Sequence, residues 1–163
     1  MKKFTLIYTI GNTPIRKAKF RKSVIKEERR DCMWYSMIHN NNQLLKLYDS
    51  IPELINVRID RLLILPEEKE IKIVFDMPRF FDYLPENQTN LEDNVAVIQL
   101  AFKNFDSLKL VFDVPMLKGN IFITKNLEDK LVVNLEGDIN CSFVAEYGEV
   151  EEIRTYLLKD DLL

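Results

Sequence analysis

Residues 57–65 have the sequence Val-Arg-Ile-Asp-Arg-Leu-Leu-Ile-Leu, and residues 71–76 have the sequence Ile-Lys-Ile-Val-Phe-Asp. In both stretches apolar residues recur at every second position, which is the period of a β-strand with one buried face. The intervening Pro66-Glu67-Glu68-Lys69-Glu70 predicts a turn. Together they predict an antiparallel hairpin. Four apolar side chains of the first strand should share one face: Val57, Ile59, Leu63 and Leu65.

Patterned apolar segments continue on both sides of this hairpin. Downstream, turn signals recur about every eight to twelve residues, as in antiparallel sheet proteins. Upstream, residues 34–49 show helical spacing in two pieces, interrupted by Asn40-Asn41-Asn42 and ended at Ile51-Pro52. The chain is therefore predicted to be α+β: a mainly antiparallel sheet of about seven or eight strands, curled or sandwich-like, with one or two short N-terminal helices packed on it. The further predicted strands are residues 95–102, 108–113, 120–125, 131–136, 139–146 and 150–158.

The charge of the chain changes sign at about residue 32. Residues 1–32 carry ten Lys/Arg against three Asp/Glu, a net charge of +7, whereas residues 33–163 carry thirteen against twenty-three, a net charge of −10. We interpret residues 1–32 as a basic N-terminal extension, with a short strand at 3–10 and a weak basic helix at 16–30. It is a solvated arm, a segment outside the native protein if Met33 is the start, or a binder of nucleic acid or anionic membrane. Residues 33–163 form the α+β domain.

The residues that support common catalytic and metal sites are scarce. His39 is the only histidine, and Cys32 and Cys141 are far apart, so neither a zinc site nor a histidine-based catalytic triad is indicated. Four glycines cannot supply a dinucleotide or P-loop motif. Paired carboxylates lie in predicted turns, where water surrounds them. We predict that the protein is not an enzyme and has no cofactor and no metal.

The same composition bears on the compartment. Two cysteines in a chain of this length do not suggest a disulfide framework, and Cys141 is predicted to be a buried reduced thiol. No stretch approaches the roughly 18–20 apolar residues of a membrane span. The apolar run after Lys2-Lys3 is short and has no small-residue cleavage site. We therefore expect a cytoplasmic protein with an acidic body that does not bind nucleic acid or membrane.

A long connection at residues 77–94 is the candidate binding site. Loops of this length in compact domains are usually functional or mobile. The aromatic residues of this loop would suit a protein partner, because interface hot spots favour such side chains in desolvated pockets. The alternative is that they fold inward and close one end of the sheet. The candidate partner-binding residues are Arg79, Phe80, Phe81, Asp82, Tyr83, Glu92 and Asp93.

About residues 33–158 resemble the immunity protein 50 family. The resemblance begins with Met33-Trp34-Tyr35, continues through Ile51-Pro52-Glu53-Leu54 and 71–78, and ends with residues 139–146. It implies a bacterial protector that binds a cognate polymorphic toxin stoichiometrically and blocks its active site or substrate entry. The resemblance names no toxin and no oligomeric state. A toxin with a basic cleft, such as a nuclease, would suit the acidic body.

Two other functions remain open from the sequence. The first is a β-sheet domain that binds a small ligand or carbohydrate without catalysis, in a cavity lined by Phe112, Phe122 and Phe143. The second is a hydrolase whose two carboxylates point into one pocket less than about 10 Å apart. The family resemblance favours the toxin-binding interpretation over both.

Overall fold

A computed structural model of the chain describes residues 4–7, 33–84, 92–112 and 118–158. It contains a 3₁₀ helix, a short α-helix α1, and nine strands. Eight of these strands lie between residues 57 and 156, so the chain is mostly antiparallel β-sheet. The bounds are Trp34–Met37 for the 3₁₀ helix, Asn42–Leu47 for α1, Phe4–Ile7 for β1, Val57–Leu65 for β2, Glu70–Asp76 for β3, Val95–Lys103 for β4, Asp106–Phe112 for β5, Lys118–Lys125 for β6, Leu131–Gly137 for β7, Ile139–Ala145 for β8 and Tyr147–Tyr156 for β9.

The strands follow the order β1-β5-β8-β7-β6-β2-β3-β4-β9, and every pairing is antiparallel. Strand β2 pairs with two different strands and so joins two parts of the sheet. Val57 and Arg58 pair with β6, whereas residues 59–65 pair with β3. We call the strands β1, β5, β8, β7 and β6 the β8 half, and β3, β4 and β9 the β4 half. A strand that changes sheets at a bend is the usual corner of a folded-over sheet.

One apolar core lies between the two halves. Phe102 of β4 and Phe143 of β8 meet edge to face, with ring centroids 5.3 Å apart. Both rings are buried, as are Ile73 of β3 and Val133 of β7. Strand β8 buries its odd-numbered residues from 139 to 145, as its sequence alternation predicts. The sheet is thus sandwich-like, and both inner faces contribute to the same hydrophobic cluster.

The predicted hairpin of β2 and β3 is confirmed. The prediction of which β2 side chains face the core is wrong for the second part of the strand. A β-bulge falls between Ile59 and Arg61, so Arg61 pairs with Val74. One extra residue reverses the facing of every later side chain in a strand. As a result Leu62 packs against the core, and Leu63, predicted to face inward, is exposed.

The helical prediction for residues 34–49 is only partly matched. The structure has a four-residue 3₁₀ helix and a six-residue α1, separated as predicted at the asparagine run. The predicted apolar faces are buried nonetheless. The indole N–H of Trp34 donates to the carbonyl of Pro52 at 3.0 Å, which satisfies its one polar group.

Two N-terminal segments form backbone hydrogen bonds at opposite ends of the strand order. They are residues 4–7 and the segment around His39. The predicted strand at residues 3–10 is present at Phe4–Ile7, where it pairs with β5. The predicted helix at residues 16–30 lies outside the described residues. His39 forms backbone hydrogen bonds with Gly148 and Val150 of β9, each 2.9 Å long. His39 therefore ties the helical segment to the β9 edge.

Candidate functional site

The loop that follows β3 holds most of the predicted site residues. Its described part, Met77 to Leu84, contains no helix or strand, in agreement with the predicted connection. The end of helix α1 holds it in place. The carbonyl oxygen of Leu47 accepts hydrogen bonds from the backbone N–H groups of Asp82, at 2.8 Å, and Tyr83, at 3.1 Å. Because the last carbonyls of a helix have no partner inside it, this loop supplies what the helix end requires.

Arg79 and Asp82 form the polar centre of the loop. The two Nη atoms of Arg79 donate to the two carboxylate oxygens of Asp82 at 2.8 and 2.9 Å, a bidentate pair. Nη2 also donates to the carbonyl of Ser50 at 2.7 Å, and the guanidinium lies 5.0 Å from the ring centroid of Tyr48. Both charged groups are thereby used to hold the loop against the end of α1.

These contacts shift the protonation of their groups. The hydrogen bonds from Arg79 and the backbone N–H of Asp49 lower the pKa of Asp82 from 3.8 to about 2. The hydrogen bond to Asp82 raises the pKa of Arg79. Burial raises the pKa of Tyr48, although the nearby Arg79 opposes this. The pair therefore stays ionised through the whole neutral and mildly acidic range.

We expect the Arg79–Asp82 pair to stabilise the loop above about pH 4 and to lose that contribution as the pH falls through about 2. The sign follows because the folded pKa of Asp82 lies below its ordinary value. A carboxyl-carbon NMR titration should give a midpoint near pH 2 for Asp82. In Arg79→Ala the midpoint should rise toward the ordinary value. A wild-type midpoint already at that ordinary value would contradict the pairing.

The loop turns apolar side chains to solvent. Phe80 is 44 % exposed, Tyr83 is 53 % exposed and Leu84 is 44 % exposed. The hydroxyl of Tyr83 donates to Asp49 at 2.7 Å. This hydrogen bond fixes the ring of Tyr83 and raises the pKa of the Tyr83 hydroxyl. Phe81 instead packs against the core. Of the predicted aromatic residues, then, two face outward and one faces inward.

Glu92 and Asp93 lie at the other end of the connection, beside the end of β9. Asp93 accepts a hydrogen bond from the hydroxyl of Thr155 at 2.7 Å, and Glu92 is exposed. Asn94 joins the two ends, because its carbonyl accepts the N–H of Phe81 at 3.3 Å while its side chain bonds Leu158. The predicted residues thus form one surface region, anchored on both α1 and β9.

Sequence reasoning missed the helix-end residues Tyr48, Asp49 and Ser50, and the exposed Leu84. Tyr48 was predicted only as part of an apolar helix face, and it is buried as that face requires. Its pairing with Arg79 had no local signal, because 31 residues separate the two. Leu84 stands next to the predicted aromatic residues, and its position in a polar loop was a usable signal.

The residues proposed for the other two functions do not converge in the same way. Phe143 is buried in the core, whereas Phe122 is exposed on the outer face of β6. The side chain of Phe112 lies outside the described residues. Asp60 and Asp76 do line one cavity, but each is ion-paired, Asp60 with Arg61 at 3.0 Å and Asp76 with Arg58 at 3.7 Å.

The described residues also bear on metal binding, on membrane crossing and on thiol chemistry. Within them, no three His, Cys, Asp or Glu side chains come together as a metal would require. In the same ranges, no helix combines the length and apolar character needed to cross a bilayer. Cys141 is a buried free thiol, as predicted, and burial raises its pKa to about 12. No family model, curated protein or solved structure matches the chain.

Proposed function

We propose that this protein is a non-catalytic immunity protein that binds a cognate bacterial toxin in the cytoplasm and blocks it stoichiometrically. The proposal continues the resemblance of residues 33–158 to the immunity protein 50 family. The observation that carries it is the loop of residues 79–84, which we call the anchor loop. Its charged groups bond to each other and to Ser50 beyond the end of α1, and it presents Phe80, Tyr83 and Leu84 to solvent.

The anchor loop has the chemistry of an interface hot spot. Aromatic side chains supply large contact areas, and the strongest anchors in interfaces are enriched in tyrosine and tryptophan. Their binding is favoured further when they are already ordered, because less conformational entropy is lost on association. Here the hydrogen bonds of Tyr83 to Asp49 and of the loop backbone to Leu47 supply that order.

The charge of the body supports a basic partner. Residues 33–163 have a net charge of −10. Such a surplus accelerates the approach of a positively charged surface and disfavours nucleic acid as a ligand. Within the anchor loop, Asp82 is neutralised by Arg79, so we assign the steering to the wider surface and the close contact to the apolar side chains.

The test begins by identifying a toxin gene beside the gene for this protein, and it uses the toxin domain that this gene encodes. Tyr83→Ala is expected to weaken its binding by at least about 30-fold, the effect of losing a hot-spot contact of about 2 kcal/mol. The matched control is Tyr147→Ala, because Tyr147 is a similarly exposed tyrosine, 41 % exposed, located on β9. Titration calorimetry of both variants measures the effect, and coexpression should show loss of growth protection for Tyr83→Ala alone.

Two results would contradict the proposal. One is equal affinity for wild type and Tyr83→Ala, with circular dichroism showing both folded, since contact through the anchor loop would then be excluded. The other is the absence of any complex with the neighbouring toxin at micromolar concentrations. A complex whose affinity does not change between low and high salt would remove the charge contribution but leave the anchor loop.

A further inference from the structure

A cleft of about 340 Å³ opens on the outer face of the β4 half, away from the core. We call it the arginine cleft. Its floor contains Val97 of β4. Three strands contribute polar groups to the cleft, and three of these groups are guanidinium groups. The polar residues include Arg58, Asp60 and Arg61 of β2, Asp76 of β3, and Arg154 and Tyr156 of β9.

The strand register explains why these residues meet. Asp76 pairs with Val97, and Val97 pairs with Arg154, so one row crosses β3, β4 and β9. Arg58 extends this row through its ion pair with Asp76. The bulge in β2 then leaves both Asp60 and Arg61 exposed at the cleft. A sheet therefore holds arginines on two opposite sides of one apolar floor.

The basic residues that line this cleft are all arginines and none is a lysine. Residues 33–163 contain thirteen basic residues, but only four are arginines. Three of these four line the arginine cleft, and the fourth is Arg79 of the anchor loop. Lysine provides a point charge, whereas arginine presents a planar fork of donors that matches the paired oxygens of a carboxylate or phosphate. General solubility would have been served equally well by lysine.

The arginines retain donors that the protein does not use. Arg58 lies 3.7 Å from Asp76, beyond hydrogen-bond distance, and its side chain is 63 % exposed. Arg61 and Arg154 reach their carboxylate partners through Nε, at 3.0 and 3.5 Å. A guanidinium group has five N–H donors, so a contact through Nε leaves further donors for a ligand.

The two aspartates set the charge and the shape of the cleft. Three guanidinium groups face Asp60 and Asp76 in the lining, and Glu152, outside the lining, lies 3.5 Å from Arg154. The hydroxyl of Tyr156 donates to Asp76 at 2.8 Å and so fixes the carboxylate that faces Arg58. The lining residues alone thus carry one more positive than negative charge, and one wall of the cleft is partly fixed.

We propose that the arginine cleft binds a small molecule through an oxyanion, a carboxylate or a phosphate, held between Arg58, Arg61 and Arg154. Its volume lies in the range of small-ligand pockets, roughly 300–1,000 Å³. Val97 provides an apolar surface for the body of the ligand. This site differs in place and in chemistry from the anchor loop, and it does not depend on toxin binding.

The binding test is a ¹⁵N NMR titration of the intact protein at constant ionic strength. Inorganic phosphate and succinate are the two probes, and sodium chloride replaces them in the reference samples. Saturable shifts are expected for the amides of Arg58, Val97 and Arg154, with a Kd of millimolar order or tighter. The probe that binds more tightly identifies the oxyanion as phosphate or carboxylate. Shifts that chloride reproduces, or no shift with either probe, would overturn the proposal.

Conservative variants test the fork itself. Arg154→Lys keeps the charge and the aliphatic stem, so the fold should be retained, yet binding should weaken by about tenfold because the paired donors are lost. Lys109→Gln is the control, since Lys109 is an exposed cation on β5 of the other half. Its Kd should change by less than about twofold. Unchanged binding in Arg154→Lys, or an equal loss in Lys109→Gln, would reduce the cleft to ordinary surface charge and refute the site.

Discussion

Replacing Phe102 by alanine is expected to lower the free energy of unfolding by about 3–5 kcal/mol, the usual range for removing a large buried aromatic ring. Phe102 is fully buried on β4, and its ring meets that of Phe143 across the interface between the two halves. Gly148 of β9 packs directly on it, since a Cβ at that position would lie 2.9 Å from two ring carbons. The surrounding backbone is therefore shaped to this ring, and collapse around the cavity should be incomplete.

Urea unfolding followed by circular dichroism measures this loss. Phe122→Ala is the matched control, because Phe122 lies on the outer face of β6 and is 38 % exposed. We expect the control to lose less than about 1 kcal/mol. Because a domain of this size has a total stability of about 5–15 kcal/mol, Phe102→Ala should shift the midpoint strongly. Equal losses in the two variants would show that the halves are not joined through Phe102.

Gly137→Ala is expected to destabilise the protein by at least about 3 kcal/mol, because two separate penalties act at this position. Gly137 has a φ of +149°, a region that side-chain-bearing residues rarely adopt. A Cβ would also lie 2.5 Å from the carbonyl oxygen of Lys118 and 2.7 Å from the Cα of Gly119. Neither obstacle is a flexible side chain, so the backbones of β6 and β7 would have to separate.

The position of this glycine pair gives the prediction a second readout. Gly119 faces Gly137 on one side and Val57 of β2 on the other, at the join of the two halves. Separation there should also disturb Arg58, which pairs with Lys118. Thermal and urea unfolding measure the stability, and amide shifts of Arg58 report the disturbance. Glu136→Ala, an exposed neighbour on β7, is the control. A loss below 1 kcal/mol in Gly137→Ala would show that the close approach is absent.

The strand pattern shows how far sequence reasoning reaches in this fold. Seven of the eight strands between residues 57 and 156 were predicted within about two residues at each end, because each buries alternate side chains. Strand β9 begins at Tyr147 and was placed a few residues late, at Val150. No sequence signal predicted the bulge at Asp60. Leucine or isoleucine side chains would point toward the core whether or not the strand contained a bulge.

For the candidate site, the sequence predicted the loop after β3 but only part of the orientation of its side chains. A long loop with aromatic residues indicated a binding surface, and the structure puts Phe80 and Tyr83 outward. The burial of Phe81 and the use of Arg79 and Asp82 as internal anchors depend on α1, whose end lies about thirty residues earlier in the chain. The arginine cleft was not predicted, because its residues are spread from position 58 to position 156.

By itself, the sequence of this protein determined the mostly antiparallel sheet with its strands, the scarcity of histidine and glycine, and the acidic charge of residues 33–163. These properties follow from local periodicity and composition, which act over a few neighbouring residues. Only the tertiary structure decided that β2 bends across two halves, that Arg79 and Asp82 pair within the anchor loop, and that three arginines share one cleft. Those outcomes depend on strand register and on contacts between distant segments, and such contacts are set when the whole chain packs.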